Sequence, residues 1–256
     1  MEPYDFILEK VKKAGELLLR LREEKFEVSI KDANSRDIVT SVDKAVSEFL
    51  VSEIKKAFPT DGIYSEEGGG VEQASERRWV IDPIDGTANF SRNIPHFAIC
   101  VGLPNVASAV YNPVTNELFS FKKGVGAFLN SKPIQVSTIT ELSKAHVFLH
   151  AGRHEDMWVW GGEAYKKLLA NVNKTKNFSG SALDICFVAA GRIEANIYGT
   201  LTNTLDLSPA LGILAEAGGV ASDEKGTALA AGVSSQKLYT ANNKAMLEAL
   251  RTLLES

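Results

Sequence analysis

Trp79-Val80-Ile81-Asp82-Pro83-Ile84-Asp85-Gly86-Thr87 decides how this chain is read. An apolar run, 79–81, predicts a short strand, and two carboxylates three residues apart follow it on what reads as a tight turn. A glycine and a hydroxyl residue come next. That order suits a strand ending in a hard-metal site, with backbone N–H groups then free to receive a phosphate. Carboxylate oxygens are the ligands Mg²⁺ prefers, and it completes its shell with water and substrate phosphate oxygens. Taken alone, the hexapeptide from Asp82 to Thr87 serves equally well as an acidic turn, because Asp-Gly is a common turn dipeptide.

Working outward, further acidic and hydroxyl residues gather around it. Glu66 and Glu67 precede a glycine run, Asp37 to Asp43 lies further upstream, and Asp206 opens an apolar segment far downstream. Thr40-Ser41-Val42-Asp43 reads first as a helix cap, with a hydroxyl at the cap and an acid three positions on. Asp206, ahead of Leu207-Ser208-Pro209, reads as an N-cap that leaves one carboxylate oxygen for a metal.

The 256 residues suffice for one large domain or two closely packed halves, and 45 % hydrophobic with 23 % charged residues is an ordinary globular balance. A net charge of −4 argues against a nucleic-acid partner. An acidic protein still binds an anionic substrate if metal ions supply positive charge locally. Two cysteines, Cys100 and Cys186, both in apolar runs, read as buried thiols or as a bridge, and so few cysteines fit a reducing compartment. The charged N-terminus does not read as a signal peptide, and no apolar run is long enough to span a bilayer, so a cytoplasmic protein without a membrane partner is expected.

Helical spacing predicts helices over 3–22 and 42–58, the second stopped by Pro59. Strands are expected at 79–81, 97–103, 106–111, 117–121 and 134–136. Beyond them, strands near 145–149, 175–178, 193–198, 219–221 and 237–240 alternate with helices near 161–171, 181–190, 207–217 and 243–254. The pattern predicts a layered α/β fold. His150 and His154 are four apart, but Gly152 and Arg153 interrupt the helical pattern, so no metal pair is expected there. Trp158 and Trp160 are expected to cover the core or a dimer contact.

Several separate motifs stand in a definite order along nearly the whole chain. They are Asp37-x-Val39-Thr40-x-x-Asp43, Glu66-Glu67, the Trp79–Thr87 stretch continuing to Asn89-Phe90, and Tyr111-Asn112-Pro113. Lys123-Gly124-x-Gly126-Ala127-Phe128-Leu129-Asn130, Gly180-Ser181-Ala182 and Glu216-Ala217-Gly218-Gly219 complete the set. With them the chain resembles the inositol monophosphatase superfamily of metal-dependent sugar phosphatases. The resemblance implies a five-layer αβαβα sandwich whose halves, 1–140 and 141–256, form one unit with the active site between them. It implies two or three Mg²⁺ ions, a small phosphorylated polyol or sugar as substrate, and a homodimer. By resemblance Asp82 bridges the ions, Glu66, the Ile84 carbonyl and Thr87 complete one site, and Asp85 and Asp206 complete the other. Glu67 stands behind them or serves a third ion. Asp43, Thr87 and Glu66 carry the catalysis, with Thr87 and Asp43 as the pair that orients water. Asp85, Gly86, Thr87, Ser181, Ala182 and Asp206 are the implied substrate contacts, and Asp37 is a supporting residue.

The departures bear on the substrate. Where inositol-specific members carry a tryptophan before the aspartate matching Asp206, this chain has Leu205. Their ring-binding glutamate corresponds to Gly199, and the arginine ahead of Gly-Ser-Ala corresponds to Asn177. Loss of a hydroxyl-binding carboxylate weakens polyol discrimination. Fructose 1,6-bisphosphate is the leading rival within the superfamily, with Arg153, Lys174, Lys176 or Arg192 for its second phosphate. Histidinol phosphate and 3′-phosphoadenosine 5′-phosphate are further options. A non-catalytic metal- and anion-binding homologue is the alternative of a different class.

Overall fold

A computed structural model of the protein describes residues 1–30, 38–68, 77–152, 155–199, 202–203, 206–229, 234–235 and 237–256. Asp37, Arg153, His154 and Leu205 lie outside the described residues.

The first amphipathic stripe folds as α1 (Pro3–Glu23), with Pro3 in its first turn and Phe6, Ile7, Val11, Ala14 and Leu18 buried. A small antiparallel pair, β1 (Val28–Ile30) and β2 (Ile38–Thr40), leads into α2 (Ser41–Ala57). Then come β3 (Gly62–Ser65), β4 (Arg78–Asp85) and the short α3 (Thr87–Ser91). A meander follows: β5 (Ala98–Leu103), β6 (Ala107–Asn112), β7 (Glu117–Lys122), β8 (Gly126–Leu129) and β9 (Lys132–Ile134). β3 to β9 form one seven-stranded sheet in sequence order, in which only β3 and β4 pair in parallel.

The remainder alternates β10 (His146–His150), α4 (Glu155–Asn171), β11 (Lys174–Lys176), α5 (Ser181–Ala189) and β12 (Ala195–Tyr198). After β13 (Thr202–Asn203) come α6 (Ser208–Glu216), β14 (Val220–Ser222), β15 (Ser234–Ser235), β16 (Leu238–Ala241) and α7 (Lys244–Glu255). The second sheet has the order β11-β10-β12-β16-β14. α1 and α2 cover one face of the large sheet, α5 and α6 fill the space between the sheets, and α4 and α7 cover the outer face of the small one. This is the five-layer αβαβα sandwich.

Residue parity along β5 shows why the layers close. Ile99, Val101 and Leu103 pack into the core under α1 and α2, whereas Ala98 and Cys100 pack with α5 and α6. A strand buried on both faces has no polar side to show, which explains its unbroken apolar run. The expected segments form, with three corrections. β4 continues through Asp85 where a turn after Ile81 is expected. α4 begins at Glu155, ahead of the expected 161. β1, β2, β3, β8, β13 and β15 are strands that the spacing does not announce, being only two to four residues long.

Among the described residues no helix is long and apolar enough to cross a membrane. Cys100 and Cys186 are both buried free thiols.

Candidate active site

β4 delivers the carboxylates, and its irregularity aims them. In a regular strand, residues an odd number apart point to opposite faces, so Asp82 and Asp85 would be parted by the sheet. Instead Asp82 pairs with Cys100 and Asp85 with Ala98, leaving two residues of β4 opposite one of β5. This one-residue bulge holds Pro83, which has no N–H to lose from the ladder. Cys100 and Ala98 both face the inner helices, so the bulge returns Asp85 to the face that Asp82 already occupies. The Ile84 amide donates to Asp82 Oδ1 at 3.0 Å and fixes the kink.

β3 runs parallel to β4 and ends beside it, where the Glu66 amide donates to the Ile81 carbonyl at 3.1 Å. Glu66 thereby stands next to Asp82, and their side chains are hydrogen-bonded. Burial, then the charges of Glu66, Asp85 and Asp206, push the Asp82 carboxyl well above the usual carboxylate range. The Asp85 carboxyl is also raised, first by burial and then by Asp184 and Glu66, against the Ala182 amide and His96, which lower it. The architecture thus gathers Glu66, Asp82, Asp85 and Asp206 although 140 residues separate the ends of the set.

A second group adjoins the first. Thr40 caps α2 in a full capping box, and Asp43 Oδ2 accepts from the Thr40 amide at 2.8 Å and from its hydroxyl. The other oxygen, Oδ1, is 3.2 Å from Thr87 Oγ1, which is also 2.9 Å from the Ile84 carbonyl. One hydroxyl has one proton, so Thr87 donates to only one of these acceptors at a time. Burial is the largest influence on Asp43 and outweighs the Thr40 hydrogen bonds; with the Glu67 charge it raises the carboxyl to about 6. The capping and catalytic readings of Asp43 therefore describe two oxygens of one carboxylate.

Gly86 precedes α3 with φ 88°, a left-handed conformation that glycine adopts without strain. Ser181 and Ala182 open α5, but the Ala182 amide is engaged by Asp85 Oδ2 at 2.9 Å. That donor holds a carboxylate in place. Asp206 stands one residue ahead of the expected capping position: the cap of α6 is Leu207, whose side chain makes no capping hydrogen bond. The Asp206 charge is near enough to Asp82 to raise its carboxyl.

Three residues were not marked by the sequence. Asn89 Nδ2 donates to the His96 carbonyl at 2.8 Å and the Phe178 carbonyl at 2.7 Å, stitching α3 to the segment before α5. His96 Nε2 meets Asp184 Oδ1 at 2.8 Å, both buried. Asn89 lies within a quoted motif, but neither its spacing nor that of the His96–Asp184 pair, 88 residues apart, signals these contacts. His150 ends β10 and stacks on Tyr198 with ring centroids 4.4 Å apart, and burial alone lowers it to about 4. Lys174, Lys176 and Arg192 line a cavity that none of the clustered carboxylates borders.

The donor set is that of a hard cation. It offers carboxylates, the Ile84 carbonyl and the Thr87 hydroxyl, while the neighbouring Cys100 thiol is held in its neutral form by burial and the Asp82 and Asp85 charges. Mutual repulsion among buried carboxylates is what a divalent ion relieves. Among the described residues, no three His, Cys, Asp or Glu side chains already stand as a set able to hold one ion. The chemistry of the donors fits a metal.

Comparison with known proteins gives a consistent result. The model of the inositol monophosphatase family matches residues 1–256. Inositol monophosphatase 3 of Solanum lycopersicum is 34 % identical over 87 % of this chain and 86 % of its own length. The Nus factor SuhB of Pseudomonas aeruginosa is 32 % identical over 89 % of this chain and 88 % of its own. The solved IMPase of Thermotoga maritima superposes with a TM-score of 0.87 at 28 % identity, covering 98 % of this chain and 96 % of that one.

Proposed function

The chain belongs to the inositol monophosphatase family and is a phosphoric monoester hydrolase, and we propose that it releases phosphate from inositol monophosphate or a related sugar phosphate with Mg²⁺. The observation that supports this reading best is Asp82, buried and flanked by the charges of Glu66, Asp85 and Asp206. In this proposal Asp82 would contribute to two Mg²⁺ sites, Glu66, the Ile84 carbonyl and Thr87 would complete one, Asp85 and Asp206 would complete the other, and Glu67 would stand behind them or serve a third ion. When bound, the ions supply charge neutralisation and Lewis-acid activation of water.

The chain's own groups do the rest. Asp43 Oδ1 accepts a hydrogen bond from the Thr87 hydroxyl, which leaves the Thr87 oxygen to accept one from a water and orient it toward the phosphate. A carboxyl raised to about 6 is a usable proton acceptor near neutral pH. The amides of Gly86 and Thr87 orient the phosphate, and Ser181 borders the sugar. Asp85 is positioned by the Ala182 amide. The proposal assigns most ligands to residues 1–140 and Asp206 with the sugar contacts to 141–256, packed as one unit. It extends to a homodimer in a reducing cytoplasm, with exposed Val159 and Leu169 of α4 as apolar contact surface.

Phosphate release from a panel of esters, with Mg²⁺ and with chelator, tests the proposal. Inositol 1-phosphate, fructose 1,6-bisphosphate, histidinol phosphate and 3′-phosphoadenosine 5′-phosphate form the panel. Fastest turnover of inositol 1-phosphate, only with metal, is the expected result. Preference for another ester reassigns the substrate, and absence of Mg²⁺-dependent release from all four favours a non-catalytic binding role.

A further inference from the structure

The edge of the small sheet carries a second site. β11 pairs in parallel with β10, with His146 beside Lys174 and Phe148 beside Lys176. Residues side by side in a ladder share a face. Phe148 packs with the inner helices while Val147 and Leu149 pack under α4 and α7, so Lys174 and Lys176 both project on the inner side. They overhang a cavity of about 250 Å³. Its walls are the rings of Phe148, Phe178 and Phe187, and Arg192 closes the far side, its guanidinium 5.0 Å from the Phe187 ring centre.

The charge there is unbalanced. Arg192 is paired with Glu117, but among the described residues no carboxylate pairs with Lys174 or Lys176. Lys176 lies 5.8 Å from the Phe178 ring centre. Lysines on an edge strand have a plain use, discouraging pairing with another chain. That use does not require both to lie over three aromatic rings and an arginine. Flat apolar walls under a cationic rim recognise a ring that bears an anionic group. We propose that this cavity binds a small planar organic anion, a one- or two-ring carboxylate, sulfonate or phosphate, separately from the catalytic carboxylates. Phe178 is also tied to α3, since Asn89 donates to its carbonyl.

Calorimetric titration of the full-length protein with naphthalene-2-sulfonate tests the assignment. Chelator is kept present, so that the metal-free carboxylate cluster repels the probe. The expected result is saturable binding that 2-naphthylmethanol and inorganic sulfate do not reproduce, because each lacks half of the recognised chemistry. Lys174→Gln/Lys176→Gln, on exposed positions, should weaken the probe about tenfold, and Lys174→Arg/Lys176→Arg should retain it. Equal binding by the glutamine variant, or equal binding of the neutral alcohol, overturns the proposal. The outcome is independent of whether any ester is hydrolysed.

Discussion

One carboxylate, Asp43, joins the start of α2 to the start of α3: Oδ2 accepts from the Thr40 amide at 2.8 Å while Oδ1 lies 3.2 Å from Thr87 Oγ1. The helix cap thus fixes the orientation of the group that faces the reacting side. Asp43→Asn keeps one acceptor oxygen and much of the cap but loses the base. Phosphate release should fall roughly a hundredfold or more, with little change in the urea midpoint. Thr40→Ala should show the opposite balance, losing about 1 kcal/mol of stability and less of the rate. A wild-type rate in Asp43→Asn would remove Asp43 from the mechanism.

Asp82→Asn separates catalysis from folding. Its carboxyl is raised by burial and by three neighbouring acids, so in the metal-free protein its ionisation opposes the fold. An amide of the same shape should raise Tm in chelator, even as phosphate release drops on the order of a thousandfold, both proposed ions losing a ligand at once. Differential scanning calorimetry with a parallel phosphate assay reads both. A variant that loses stability and activity together would mean that Asp82 is structural.

The same linkage sets a pH dependence. Asp43 has a folded-state value of about 6 against an ordinary 3.8, and Asp82 and Asp85 are displaced in the same direction. A raised carboxyl contributes stability that is complete below its unfolded value and is lost as pH rises through its folded value. In chelator, Tm should therefore fall as pH rises from about 4 to about 7 through Asp43 and Asp85, with Asp82 adding in the same direction. Mg²⁺ competes with protons for the same oxygens, so the Tm increase it produces should be larger at pH 8 than at pH 5.5. His150, lowered to about 4, acts the other way: its contribution is present above its unfolded value and is lost as pH falls toward 4. Thermal shifts in His150→Phe distinguish the two trends. A Mg²⁺ effect of equal size at both pH values would argue against metal binding by the raised carboxylates.

Long periodic segments were legible from residue types alone, and α1, α2 and α7 lie within a residue or two of their expected bounds. The large sheet was legible where apolar runs are broken by turn residues. What the sequence could not show is phase. The spacing of Asp82 and Asp85 is odd, and only the bulge against Cys100 and Ala98 puts them on one face. Asp206 resembles a cap because it precedes a proline-initiated helix, yet the cap position falls on Leu207, and the nearness of Asp206 to Asp82 comes from the tertiary fold. The His96–Asp184 pair joins residues with no local pattern at all. Position 199 was recognised as a departure without a cause, and the cause lies on another element.

That cause is Trp160. A Cβ built on Gly199 would stand 2.2 Å from Trp160 Cζ3, so the indole occupies the space a side chain at 199 needs. Trp160 itself is braced from elsewhere, with Lys237 Nζ 4.4 Å from its ring centre. Restoring the glutamate of inositol-type relatives by Gly199→Glu alone should therefore destabilise the protein without improving inositol 1-phosphate turnover. Even Gly199→Ala should cost about 1–3 kcal/mol through overpacking. Trp160→Ala removes the obstruction at the expense of core contacts, so the informative quantity is the coupling in a double-mutant cycle. Trp160→Ala/Gly199→Glu should be more stable than the sum of the single losses and should lower KM for inositol 1-phosphate relative to Trp160→Ala. Additive stabilities in that cycle would show that the indole does not rest on Gly199 in solution, and the substrate preference would then need another source.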